Sequence, residues 1–100
     1  MRRVPSGFGM LRIMTNRRDE YHQLELHGRI SGDWVGVLDR HWRGILAANP
    51  GARFTVELSN VTFIDRNGER LLRQMVRCGV GLSGAGLMSR YVIQTVAAGV

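Results

Sequence analysis

This 100-residue sequence contains no lysine: all 14 of its basic residues are arginine, set against 8 acidic residues for a net charge of +6. It has one cysteine, Cys78, so an internal disulfide is excluded and a reducing compartment is expected. No apolar run approaches the roughly 18 residues that a membrane-spanning helix needs. The basic N-terminus, Met1 to Gly7, is not followed by a signal-type apolar region. A soluble, cytoplasmic protein is therefore the expectation. Metal and nucleophile chemistry find little support. His22 and His27 lie five apart on an expected strand and point to opposite faces. His41 sits on an expected helix, and none of the three has a ligand partner at metal spacing. No nucleophile stands beside a base.

What is present fits one globular domain. The apolar fraction is 44%, ordinary for such a fold, and the length leaves no room for a second core. Residues 1–7 read as a flexible lead and residues 8–100 as the domain. Phe8 to Met14 reads as a strand, Thr15 to Glu20 as a polar turn, and Tyr21 to Ile30 as a second strand. Ser31-Gly32-Asp33 opens a helix, with Ser31 or Asp33 as its cap, and Asn49-Pro50-Gly51 ends it. Val35, Leu38, Trp42, Ile45 and Leu46 form its apolar stripe; Trp34 and Trp42 are expected partly in the core.

Phe54 to Leu58 alternates cleanly and reads as a strand. The chain then passes through Phe63-Ile64-Asp65-Arg66-Asn67-Gly68 into a second helix ending at Gly79. Val80 to Ser83 is a short strand, and Leu87 to Ala97 a last helix with Met88, Val92 or Tyr91, and Val96 inward. The order is ββαβαβα. Helical connections between strands imply parallel pairing, so the expected class is α/β, a small mixed sheet flanked by helices. The glycines from Gly79 to Gly86 lack the Gly-Lys-Ser/Thr ending of a phosphate loop and read as turn residues.

The junction carries the strongest signal. Asp65 is placed to cap the second helix, because its carboxylate can accept the free N–H groups of the first turn. Arg66 breaks a local rule, being a cation at the positive end of the helix dipole. At about 100° per residue, Arg66, Arg70, Arg73 and Arg77 share one face within about 60°, opposite Leu71, Leu72, Met75 and Val76. Arginines four apart repel slightly, so helix stability does not account for the ridge. Three readings are open: a solvated face in an arginine-biased proteome, a surface for an acidic protein, or a surface for nucleic acid or another polyanion.

The run from Val56 through Phe63-Ile64-Asp65 to Gly68, followed by Leu71-Leu72, resembles the core of STAS domains, the domains of bacterial anti-sigma-factor antagonists. The resemblance follows the element order over residues 8–97 and is sharp from about Phe54 to Leu82. It implies a non-enzymatic protein-interaction module with no cofactor, acting in transcription regulation. The docking surface it points to is the tip Asp65, Arg66, Asn67 and Gly68, which the arginine face read from the helical wheel continues through Arg70, Arg73 and Arg77. The implied partner is an anti-sigma factor of the kinase type or a transporter ATPase, as for the STAS subunits of lipid-transport ABC systems. In the family, a serine or threonine directly after the motif aspartate takes a phosphate from the partner and breaks the complex. Arg66 holds that position here and Asn67 the next, so the usual phospho-switch is not expected. Ser59 and Thr62 are the hydroxyls just before the junction, and Thr62, in an apolar stretch, reads as structural.

Overall fold

Apolar residues at every second position turn one side of each strand inward. On Tyr21–Ile30 these are Leu24, Leu26 and Ile30, with His22 on the same side. A computed structural model of the protein describes residues 11–18 and 21–98. Its elements are β1 (Leu11–Arg18), β2 (Tyr21–Ile30), α1 (Asp33–Ala48), β3 (Arg53–Ile64), α2 (Arg66–Arg77), β4 (Gly81–Ser83) and α3 (Leu87–Ala98). The expected ββαβαβα order is the observed one. The lead at residues 1–7 and the expected strand start at Phe8 lie outside the described residues.

The strands lie in the order β1-β2-β3-β4. β1 pairs antiparallel to β2, while β2–β3 and β3–β4 are parallel. Each parallel step is crossed by a helix, as the connection length requires. One side of the sheet shares a single apolar core with all three helices. Leu24, Leu26, Val56 and Leu58 of the sheet join Leu38 and Trp42 of α1, Leu72 and Met75 of α2, and Val92 and Val96 of α3. The other side carries Gln23, Glu25, His27, Thr55 and Glu57, all partly exposed.

Four expectations need correction. First, Thr15 to Arg18 is not a turn: β1 runs through it, paired residue by residue to Tyr21–Leu24. Thr15 is held there by a side-chain hydrogen bond to His41 of α1, 3.1 Å away. Second, β3 does not stop at Leu58. It continues to Ile64 through two register shifts against β2, each placing an extra residue in β3. These bulges break the alternation, so Val61 rather than Asn60 is buried and the strand is hidden from a period-2 reading. Third, Thr62 is exposed, not packed, and its hydroxyl donates to the Gly28 carbonyl at 3.2 Å. Fourth, α3 turns Ser89, Val92 and Val96 inward, while Met88 and Tyr91 are exposed. Buried Ser89 satisfies its hydroxyl by donating to the Leu58 carbonyl at 2.8 Å.

The aromatic residues anchor the β2–β3–α1 contact. Trp42 meets Phe54 edge-on with centroids 6.3 Å apart, and His22 stacks on the same ring at 5.3 Å. Both tryptophans are buried, Trp34 more completely than its position beside the stripe suggests. His22 is thus neither solvated nor hydrogen-bonded through Nδ1. Its ring is held face-on against Phe54.

β4 has only three pairs to β3, which is too short to be secure by backbone pairing alone. Glu57 reinforces it. The carboxylate accepts from the Ser59 hydroxyl, the Ser59 N–H, and the Ser83 hydroxyl at 3.0 Å. Ser59 Oγ in turn accepts from the Ala85 N–H at 2.9 Å, joining β3 to the loop before α3. The Ser59 hydroxyl, helped by the other two donors, holds the Glu57 carboxyl below its ordinary value of 4.5 despite some desolvation. A lowered folded pKa contributes stability that is full above pH 4.5 and is lost as the pH falls through the folded value. Denaturation midpoints of wild type and Glu57→Gln should therefore differ at neutral pH, with wild type the more stable, and converge in acid. A gap that stays constant or widens as the pH falls would contradict this role for the carboxylate.

Candidate docking site at the start of the second helix

β2 and β3 end side by side, with Ile30 paired to Ile64. The next residue after β3 is Asp65, whose N–H donates to the Ile30 carbonyl at 3.1 Å and closes the pairing. Its backbone is extended, as an N-cap requires, and α2 begins at Arg66. One carboxylate oxygen accepts from the Gly68 N–H at 2.8 Å, the cap contact expected from the sequence. The other accepts from the Gly32 N–H at 3.0 Å. Gly32 is the N-cap of α1, so a single carboxylate serves the N-terminal ends of two helices.

This second contact corrects the cap expected for α1. Neither Ser31 nor Asp33 caps the helix through its side chain; Gly32 occupies the position with φ 57° and ψ −136°. That backbone conformation is in effect reserved for glycine. Asp33 follows in the first turn, where its charge favours the helix dipole. Sequence reading missed Gly32 as a wall of the site. Its only signal was a glycine between two better capping residues.

Gly68 is required for a different reason. A Cβ placed there would lie 2.5 Å from the Ile30 carbonyl oxygen and 2.9 Å from side-chain carbons of Ile30 and Ile64. The first turn of α2 is therefore pressed against the ends of β2 and β3, which fixes where Arg66 and Asn67 project. Both are exposed, as is Arg70 one turn on.

The arginine face is not one uniform ridge. Arg73 is half-buried, and its Nη2 reaches the Thr95 carbonyl of α3 at 3.4 Å. Its Nε is buried with no hydrogen-bond partner. Arg73 is better described as a strut between α2 and α3 than as a free charge. Arg77 is exposed at the far end of α2, about 16 Å along the axis from Arg66 at 1.5 Å per residue. The fold thus brings Asp65, Arg66, Asn67, Gly68 and Arg70 together and sets Arg73 and Arg77 apart from them. Cys78, the C-cap of α2, is exposed. Among the described residues no group of His, Cys, Asp and Glu could hold a metal ion. No helix among them is long and apolar enough to cross a membrane.

Neither family models nor curated proteins give a match to this sequence. Solved structures do. An anti-sigma factor antagonist from Mycobacterium paratuberculosis superposes with a TM-score of 0.76 at 18% identity, over 89% of this chain and 80% of that one. A protein of the DUF3478 family with a SpoIIAA-like fold, from Shewanella loihica, superposes with a TM-score of 0.59 at 13% identity, over 92% of this chain and 81% of that one. The chain therefore has a STAS-like fold, in agreement with the resemblance read from the Asp65 motif.

The requirement at Gly68 can be separated from ordinary helix effects by one pair of variants. Gly68→Ala should lower stability by about 1–3 kcal/mol, since backbone must move to admit the methyl group. Gly44→Ala, in the exposed part of α1 where a Cβ meets nothing within 4 Å, should raise it by about 0.5–1 kcal/mol. Denaturant titration measures both. A neutral Gly68→Ala would mean that the close approach of α2 to Ile30 is not maintained in solution.

Proposed function

We propose that this protein is a non-enzymatic docking module of the anti-sigma-antagonist type, which engages a regulatory or ATPase-type protein through the Asp65–Gly68 tip. The observation that carries the reading is the tip itself. Asp65 is held by two helix termini and by β2, so the backbone that carries Arg66, Asn67 and Arg70 is set before binding. Such preorganisation lowers the entropic cost of association. The fold likeness to an anti-sigma factor antagonist supports the same class of function.

Arg66 gives the proposal its particular form. Its guanidinium is permanently charged, and it stands directly after the capping aspartate. A phosphoserine there would bring a charge of nearly −2 to a partner surface; Arg66 brings +1 and cannot be modified in that way. Docking at this tip is accordingly constitutive with respect to a Ser/Thr phospho-switch and favours an acidic partner surface. The polyanion reading has less to rest on, because Arg73 is engaged with α3 rather than offered to a ligand.

The test is capture from the native host with the full chain as bait. Arg66→Glu combined with Arg70→Glu should abolish recovery of the partner while leaving the melting temperature close to that of wild type, since both side chains are exposed. Recovery of the same partners by wild type and the double variant would remove the tip as the docking site. Capture of nucleic acid in place of protein would overturn the proposal in favour of the polyanion reading.

A further inference from the structure

The first turns of α3 expose three large apolar side chains, Leu87 at 83%, Tyr91 at 61% and Met88 at 36%. Leu87 and Tyr91 lie on the side of α3 opposite Ser89, Val92 and Val96, and Met88 lies on a flank beside Val92. The Arg73–Thr95 contact fixes which flank of α3 adjoins α2. At about 100° per residue, Thr95 and Met88 fall within about 20° of each other on that flank, with Tyr91 about 40° further out and Leu87 beyond it. α2 and α3 each follow a parallel strand and return along the sheet in the same direction, so their first turns lie toward the same end. On the α2 side the apolar strip is bordered by half-buried Glu69, which the same wheel turns most toward α3, then by Arg66 and, further round toward solvent, by Arg70; Arg90 stands on the strip's own far flank.

From this we infer that the α2–α3 groove is a second part of the docking surface, and that its occupant is an acidic amphipathic helix of the partner protein. The inference rests on the docking role proposed above and extends it. Apolar side chains of the guest helix would cover Leu87, Met88 and Tyr91, and its carboxylates would meet Arg66, Arg70 and Arg90. Tyrosine, methionine and arginine are the residues enriched at such contacts, and laying an amphipathic helix into an apolar groove is a recurrent recognition mode. A second copy of this chain fits poorly, because it would set one arginine border against another on a protein of net charge +6. An anionic lipid surface would satisfy the charges, but three side chains offer a small apolar area for membrane anchoring.

Site-specific photocrosslinking in the native host tests the inference. A photoreactive phenylalanine analogue replaces Tyr91 in one full-length bait and Asn67 in another, and crosslinked segments are identified by mass spectrometry. The expected result at position 91 is a protein segment with apolar residues at helical spacing flanked by Asp or Glu. Its yield should fall at least about tenfold when Arg66→Glu and Arg70→Glu are added, as for loss of two complementary charge contacts. Crosslinking at 67 with none at 91 would leave the tip in place and overturn the groove. An acidic segment at 91 with no protein at 67 would support the groove and remove the tip. A basic segment, lipid or a second copy of this chain at 91 would each overturn the inference.

Discussion

The carboxylate of Asp65 sits where three parts of the chain must be satisfied at once. β2 and β3 finish there, α1 has just begun, and α2 begins on the next residue. Helix starts leave N–H groups without partners, and burying or crowding them without an acceptor is costly. Here one oxygen takes the Gly68 N–H and the other the Gly32 N–H. A side-chain cap of this kind contributes about 0.5–2 kcal/mol to a helix, and here one residue has leverage over two helices that are distant in sequence. The demands on its neighbours follow. Gly32 must reach a glycine-only conformation to aim its N–H at the carboxylate. Gly68 must lack a Cβ so that the first turn of α2 can sit against Ile30.

That constraint bears directly on the surface. A rigid junction lets Arg66 and Asn67 project from backbone that has little freedom to respond to solvent. The unfavourable placement of Arg66 at the positive end of α2 costs a few tenths of a kcal/mol. The helical layer carries Arg66, Arg70 and Arg90 at this end together with Asp33, Asp65 and Glu69, and the polar sheet face carries the carboxylates Glu25 and Glu57. Glu25 pairs with His27 at 3.1 Å, and Glu57 is occupied in holding β4. The acids of the sheet are thus committed to local partners, and positive charge dominates the α2–α3 side.

How much of this was legible in the sequence depended on whether the signal was local. The element order, the parallel crossovers and the Asp65 cap follow from periodicity and capping chemistry, and all are present. The extent of β3 was not legible, because bulges near Ser59 and Thr62 shift the inward side by one residue and destroy the alternation. The inward face of α3 was misread because Met88 and Tyr91 are apolar and Ser89 is not; burial of Ser89 depends on the Leu58 carbonyl of another element. The arginine ridge followed from helical geometry alone, but a wheel cannot show that α3 packs against one flank and engages Arg73. Gly32 was invisible as a functional position for the same reason: its partner lies 33 residues away.

The dependence of both helix starts on one side chain can be measured by native-state hydrogen exchange of the Gly32 and Gly68 amides in wild type and in Asp65→Ala. If one carboxylate holds both, the two amides are protected in wild type and lose protection together in the variant, beyond the change seen for core amides such as Leu24 and Val56. If Gly32 keeps its protection when Asp65 is removed, the two helices are capped independently and the shared junction is not what organises this end of the fold.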